Sequence, residues 1–317
     1  MNPPQLLITG ANGFVGRALC AEAASRRFAV QAATRLPCDL PGAGTSRAVG
    51  PMDGATDWRI ALAGVDRVVH LAARVHVMAD TASNPLDEFR RVNRDGTLNL
   101  ARQAAAAGAR RFVFVSSVKV NGESTVPGRP FTADDTPAPQ DAYGQSKAEA
   151  EAGLRALAQD TGMEVVIIRP PLVYGPGVRA NFAAMMRWLR RGVPLPLGAI
   201  HNRRSLVGLG NLVDLVITCL SHPAAAQQTF MASDGEDVST TELLRRMGRA
   251  MDCPAHLVPV PAAWLQQAAK LLGKGDVAQR LCGSLQVDIE KTRALLDWQP
   301  PLTLDQGLKK AAQGATE

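Results

Sequence analysis

Tyr143 and Lys147 stand four residues apart in the stretch DAYGQSKAEAE at 141–151. On a helix that spacing places both side chains on one face, a turn apart. A phenol beside an ammonium is an acid whose proton is easier to remove, as proton exchange with a substrate oxygen requires. An exposed helix start would show the same spacing, so the pair must be read with its surroundings. A second cluster is made of glycines: TGANGFVG sets Gly10, Gly13 and Gly16 in GxxGxxG spacing directly after the apolar run LLIT. Glycines there let the backbone turn tightly and approach a pyrophosphate at the N-terminus of the following helix. The end of the next apolar run, AATR, offers Thr34 and Arg35 and no carboxylate. An acid at that point would hold the ribose 2′-hydroxyl of NAD, whereas a planar cation can stack on adenine and pair with a 2′-phosphate. NADP(H) is therefore the expected cofactor, with NAD(H) the alternative. Arg35 as a plain solvated loop residue is the competing reading.

The elements that must position these residues alternate along the first half of the chain. Apolar runs at 6–9, 28–34, 47–49, 65–72, 110–117 and 163–170 read as strands. Ala-rich stretches at 14–26, 85–107 and 142–160 read as helices. Near-continuous apolar strands separated by helices predict a parallel sheet covered on both faces, a doubly wound α/β fold of Rossmann type. After Tyr174 the texture changes, with GPG, GVPLPLG and VPVP as punctuation and helical pieces at 238–251, 261–272 and 290–297. Two units are expected: a dinucleotide-binding domain over 1–170, and a smaller, partly interleaved substrate lobe over 171–317.

Composition narrows the function classes. The 317-residue chain carries a formal net charge of +6 and is 46% hydrophobic, 20% charged and only 4% aromatic. Anionic ligands suit that balance. Its arginines come as scattered pairs without aromatic interleaving, so nucleic acid is not an expected partner. Five cysteines lie far apart with no CxxC or Cys/His cluster, which argues against a disulfide framework or a metal site. MNPPQLLITG lacks the basic start of a signal peptide, and NLVDLVITCL at 211–220 is short for a membrane span and carries Asp214. A cytoplasmic protein is expected.

With these elements in place, the chain resembles the extended short-chain dehydrogenase/reductase family: the sugar-nucleotide epimerases, dehydratases and reductases. The motifs are TGANGFVG (9–16), VVHLAA (68–73), VNRDGTLNL (92–100), FVFVSSVKVNG (112–122), YGQSK (143–147), RPPLVYGPG (169–177) and LLDWQPPLTLDQGL (295–308). Their joint order, rather than any single one, carries the resemblance. It implies Ser117, Tyr143 and Lys147 as catalytic residues. Tyr143 would exchange a proton at a sugar oxygen, Ser117 would orient that oxygen, and Lys147 with the nicotinamide charge would favour the phenolate. The implied cofactor-lining positions are Gly10, Asn12, Gly13, Phe14, Val15 and Gly16, then Arg35, Leu71, Ala72, Ala73, Asn93, Ser116 and Pro170, with Tyr143 and Lys147. Ser116 faces the other side of its strand from Ser117, so a structural role competes for it. His70, mid-strand, reads as core.

The resemblance also implies a UDP-sugar substrate. Its candidate contacts are His76, Ser117, Lys119, Asn181, Leu197 within VPLPLG, Arg204 (or Arg203) for the diphosphate, and Arg280. Dehydratases of the family carry an Asp–Glu pair directly after the catalytic Ser or Thr; here Val118 and Lys119 stand there. Without those carboxylates, dehydration is disfavoured. HLAARVHVM (70–78) with SSVKVNGE (116–123) looks like the C4-reductases that complete UDP-N-acetyl-quinovosamine-type sugars of surface polysaccharides. Reduction of a UDP-4-keto-6-deoxy-N-acetylhexosamine is the expected reaction. A UDP-glucose or UDP-N-acetylglucosamine 4-epimerase with tightly bound NAD is the alternative, and a non-catalytic NADP-binding regulator the remote one. A homodimer through the helices at 85–107 and 142–160 is also implied.

Overall fold

In a computed structural model, residues 3–75, 84–126, 128–178, 180–273 and 275–314 are described. Seven parallel strands form the main sheet: β1 (Gln5–Thr9), β2 (Ala29–Thr34), β3 (Thr45–Ala48), β4 (Arg67–His70), β5 (Arg111–Val115), β6 (Glu164–Arg169) and β9 (Thr229–Met231). Their order is β3-β2-β1-β4-β5-β6-β9, so the winding reverses between β1 and β4 and leaves a crevice at the strands' C-terminal ends. This is the Rossmann-like α/β architecture. One face of the sheet is covered by α1 (Phe14–Ser25) and α6 (Leu209–Ser221), around Leu6, Ile8, Leu19 and Leu212. The other is covered by α3 (Thr97–Ala106) and α4 (Ala142–Thr161), around Leu7, Trp58, Phe112 and Leu154.

The long helix expected at 85–107 is not uniform. After α2 (Pro85–Phe89) the backbone widens into a π segment, Arg90–Gly96, before α3. The Thr97 hydroxyl donates to the Asn93 carbonyl at 2.7 Å, and the Asn93 side chain leaves the helix to meet Arg74 and Ser146. Such local widening recurs where a side chain is re-aimed at a functional region.

Beyond residue 170 the chain builds a three-stranded sheet from β7 (Leu172–Tyr174), β8 (Arg204–Gly208) and β10 (Asp237–Val238). With α5 (Ala180–Arg190), α7 (Thr240–Ala250) and α11 (Leu304–Gln313) it forms a third core around Tyr174, Phe182, Leu206 and Leu244. The helices α8 (Ala262–Leu271) and α9 (Gly275–Cys282) complete the lobe, while α10 (Glu290–Leu296) packs against β9 of the main sheet. The segment 211–220, too short for a membrane span, lies within α6, where Asp214 accepts from Trp298 Nε1 at 2.9 Å. Because α6 and β9 return to the main sheet, the two units share one continuous packing. Among the described residues no helix is long and apolar enough to cross a membrane.

Beneath the C-terminal ends of β5 and β6 lies an ion pair withdrawn from water. Arg169 and Glu151 retain 1% and 0% side-chain exposure and meet at 2.6 Å. Arg169 also donates to Asn121 Oδ1, and Ser116 Oγ donates to Glu151 Oε1 at 2.6 Å. Removing one partner of a buried pair leaves a charge without compensation and costs about 3–5 kcal/mol. Arg169→Met should accordingly lose about 3 kcal/mol in urea unfolding, since Ser116 and Arg155 still serve Glu151. Glu151→Leu added to it should restore part of that loss. A single variant within about 1 kcal/mol of the parent would show that the pair is not anchoring this end of the sheet.

Candidate active site

The glycine loop follows β1 directly. Gly10 has φ +63°, and a Cβ there would lie 2.8 Å from the Ala72 nitrogen. A Cβ on Gly16 would lie 2.2 Å from the Gly10 carbonyl. Both positions need glycine, one for its backbone angle and close approach, the other for seating α1 on the loop. Helix α1 has no side-chain cap at Gly13, and Asn12, Phe14 and Val15 flank its opening. Uncapped N–H groups beside so closely drawn a backbone fit the diphosphate of a dinucleotide. At the end of β2, Thr34 is buried and donates to the Leu36 carbonyl at 2.8 Å, while Arg35 is exposed to solvent.

Across the crevice, β4 ends at His70, earlier than the expected 72, so Leu71, Ala72 and Ala73 line a loop. That loop is held by a directed chain. The Ala72 N–H donates to Thr9 Oγ1, which faces His70 Nδ1 at 2.7 Å; His70 Nε2 faces Thr97 Oγ1 at 2.9 Å. As Thr97 donates onward to Asn93, the ring carries its proton on Nε2. Burial, helped by the Lys147 charge, pushes the His70 pKa down to about 3 and keeps it neutral. His70 is core, as its strand position suggested.

Asn93 was expected to touch the cofactor. It is instead fully buried, and its amide is committed to the Arg74 backbone and to Ser146 Oγ, at 2.8–3.0 Å. Its contribution is to hold the 71–74 loop against α4. The Ser116 hydroxyl donates to Glu151, in line with the structural role that competed for it. Pro170 is buried, and its carbonyl accepts from the Val118 N–H at 3.0 Å.

The residues expected to handle the proton lie where β5 runs out. Ser117 caps a 3₁₀ turn, Val118–Val120, and its Oγ accepts from the Lys119 N–H at 3.2 Å, leaving its own proton to give. Asp141 caps α4 by accepting from the Gly144 N–H at 2.6 Å, and Tyr143 and Lys147 follow in its first two turns. Tyr143 is half-buried, with its ring edge-on to Phe89 at 6.1 Å. Burial and the Asp141 carboxylate push its pKa up to about 12, against a side-chain hydrogen bond with Ser117 that pulls it down.

Lys147 is drawn into the fold. That ammonium is buried, donates to the Val115 carbonyl at 3.0 Å and sits 4.3 Å over the Phe114 ring. Burial lowers its pKa to about 7, against a raising influence from Glu151.

The substrate-side candidates scatter. His76 lies outside the described residues. Lys119 does not face an open surface; its ammonium is held by Glu123 at 2.8 Å and by Asp141. Leu197 is buried, its N–H donates to the Leu195 carbonyl and its carbonyl accepts from the Thr241 hydroxyl. Asn181 is exposed on the first turn of α5, and Arg280 is exposed on α9. Arg204, half-buried on β8, donates to the Gly283 carbonyl at 3.0 Å. Burial lowers its pKa, which marks a guanidinium suited to an anionic partner. Sequence reading missed Asp141, Glu151 and Arg169. The available signals were an Asp two residues before Tyr143 at a helix start, and a Glu one turn beyond Lys147. Among the described residues no cluster could hold a metal ion.

Comparison with known proteins agrees with this geometry. The model of the NAD dependent epimerase/dehydratase family matches residues 6–232. A UDP-glucose 4-epimerase from Vibrio cholerae is 49% identical over 313 residues, spanning 98% of this chain and 95% of that protein. Among solved structures, the UDP-glucuronic acid 4-epimerase of Bacillus cereus in complex with NAD gives a TM-score of 0.78 at 19% identity, over 98% of this chain and 96% of that one. RMD from Pseudomonas aeruginosa complexed with NADPH gives 0.75 at 21% identity, over 99% and 100%. These two similarities speak for the fold alone. The family match and the full-length relative together make this chain a member of the NAD dependent epimerase/dehydratase family, of the extended short-chain dehydrogenase/reductase type.

Proposed function

We propose that the chain carries out hydride chemistry at C4 of a UDP-hexose, reducing a UDP-4-keto-6-deoxy-N-acetylhexosamine with NADP(H) through Ser117, Tyr143 and Lys147. The observation that carries this reading is the gathering of Ser117 and Tyr143 at the end of β5, with Val118 and Lys119 in place of a dehydratase's two acids. Gly10, Gly13 and Gly16 would hold the diphosphate of the dinucleotide, and Arg35 its adenosine 2′-phosphate. When bound, the nicotinamide supplies the hydride that C4 receives. Ser117 Oγ would donate to the C4 oxygen and fix its direction. Tyr143 would give that oxygen its phenolic proton as the carbonyl becomes an alcohol, leaving a phenolate. Lys147, one turn on, would stabilise that phenolate by reorienting from the Val115 carbonyl. Arg204 would pair with the substrate diphosphate.

Arg35 supports a dissociable NADP(H), because it is exposed at the end of β2 where no acid stands. The second reading is 4-epimerisation, favoured by the 49% identity to the Vibrio cholerae protein named for that activity. It would use the same proton exchange twice, once to make the 4-ketone and once to reduce its opposite face.

Nicotinamide absorbance separates the two. Stoichiometric loss of NADPH on adding the UDP-4-keto sugar is expected. Interconversion of UDP-N-acetylglucosamine and UDP-N-acetylgalactosamine with no net change in the cofactor would reject reduction in favour of epimerisation. Tyr143→Phe should bind cofactor normally and lose turnover by about 10²–10⁴-fold; full activity would remove Tyr143 from the chemistry. Arg35→Ser should raise the KM for NADPH about 10–100-fold while leaving that for NADH nearly unchanged. Equal effects on both cofactors would show that Arg35 does not read the 2′-phosphate.

A further inference from the structure

The cluster Lys119–Asp141–Glu123 is not used by the chemistry above, yet it is built into the catalytic helix's first turn. Asp141 Oδ1 is spent on the Gly144 N–H at 2.6 Å, which fixes the carboxylate two residues before Tyr143. Its Oδ2 faces the Lys119 ammonium, which also holds Glu123 Oε1 at 2.8 Å. The backbone is drawn in as well. A Cβ on Gly144 would lie 2.6 Å from the Lys119 carbonyl, so the helix start seats directly on the turn that follows Ser117. Lys119 and Asp141 each keep only 26% side-chain exposure, so water screens their charges partially.

We propose that Lys119 is a positioning residue for Tyr143: held between Glu123 and Asp141, its ammonium offsets the fixed Asp141 carboxylate and so sets how readily the phenol releases its proton. A negative charge fixed beside a phenol opposes phenolate formation, and an ammonium clamped on that charge cancels much of the opposition. The other groups around the ring do not substitute for it. Ser117 is neutral, and Phe89 presents a ring edge with Arg74 stacked 5.7 Å over it. Lys147 is turned to the Val115 carbonyl. Glu149, on the same helix, is paired with Arg90 at 2.6 Å and Arg94 at 3.3 Å. Asp141 is the acid that burial and its own position make felt at Tyr143, and its pKa is nonetheless held low: burial pushes it up, but hydrogen bonds from Lys119 and Gly144 outweigh that. It therefore stays charged wherever the enzyme works, and Lys119 is needed throughout.

The chain's two tyrosines make a direct test available. Tyr174 is fully buried, donates to Asp234 at 2.8 Å and has its pKa raised further by burial and that carboxylate, so it stays protonated. Fluorotyrosine incorporated at both positions gives two fluorine NMR signals, and only that of Tyr143 moves with pH; Tyr143→Phe assigns it. The added fluorine also brings the phenol's transition down in pH. The titration requires no substrate or cofactor, so its failure and failure of the C4 reading are distinguishable. Asp141→Asn, which keeps the helix cap, should lower the midpoint by about one unit. Lys119→Met should raise it by a similar amount, or out of range, and Lys119→Arg should return it. In the Asp141→Asn background the Lys119→Met effect should fall by at least half. The proposal is overturned if Asp141→Asn leaves the midpoint in place, or if Lys119→Met shifts it equally with and without the Asp141 charge. Should Lys119→Met fail to fold, Lys119→Gln provides the same comparison.

Discussion

The buried pair of Glu151 and Arg169 is the constraint on which the site's geometry rests. Two charges withdrawn from water are tolerated only when each is met by well-placed partners. Here the requirement is satisfied by groups from four places: α4 supplies Glu151, the end of β6 supplies Arg169, the end of β5 supplies Ser116, and the turn after it supplies Asn121. None of these segments can slide without stranding a charge. Ser117 and Tyr143 are thus held relative to one another by a network that contains neither of them. Ser116 shows the division most directly. Its hydroxyl points down into the ion pair, and the next residue along the extended backbone points up into the site.

Helix α4 carries the consequences. Asp141 caps it, and Tyr143, Lys147 and Glu151 follow one turn apart, so cap, acid, cation and anchor lie on one element. The free chain leaves this set relaxed: the phenol holds its proton tightly and Lys147 rests against a backbone carbonyl and an aromatic face. Under the proposed chemistry, that resting state is a protonated acid ready for a ketone. Charges that arrive with ligands would lower the phenol's proton affinity beyond what Lys119 does in the free chain. The His70 chain works towards the same end from the other wall of the crevice, fixing the 71–74 loop with a neutral ring that adds no charge of its own.

Much of this was legible in the sequence because its signals are local. Parallel strands buried on both faces read as apolar runs, and the glycine spacing of the phosphate loop follows from one backbone's approach to another. Helix α4 revealed itself through the four-residue spacing of Tyr143 and Lys147. What escaped depends on partners distant in sequence. Strand β9 is three residues long and gains its meaning only by pairing with β6. Asn93 and Lys119 were given ligands because both lie near the site, but polar groups that become buried must find partners within the fold. Asn93 finds Arg74 and Ser146; Lys119 finds two carboxylates, one of them 22 residues away. The Leu197 backbone likewise meets Leu195 and Thr241.

The positions that discriminate among reactions differ in kind from those that build the fold. Glu151, Arg169, Gly10 and Gly16 answer to packing, and exchanging any of them disturbs the frame before it alters chemistry. Val118 also packs into the core, whereas the side chain at 119 meets carboxylates rather than apolar neighbours. An acid at 119 would stand next to Asp141 and Glu123 and gather three carboxylates at the mouth of α4. Like charges so placed could not all ionise, and one would retain a proton near neutrality. A lysine there inverts the arrangement: the carboxylates stay ionised and neutralised, and no acid remains to protonate a departing hydroxyl. Under the proposed chemistry Tyr143, beside Ser117, exchanges its proton at a single oxygen. In the proposed reading, disfavoured dehydration and tuning of the tyrosine both trace to the charge at position 119.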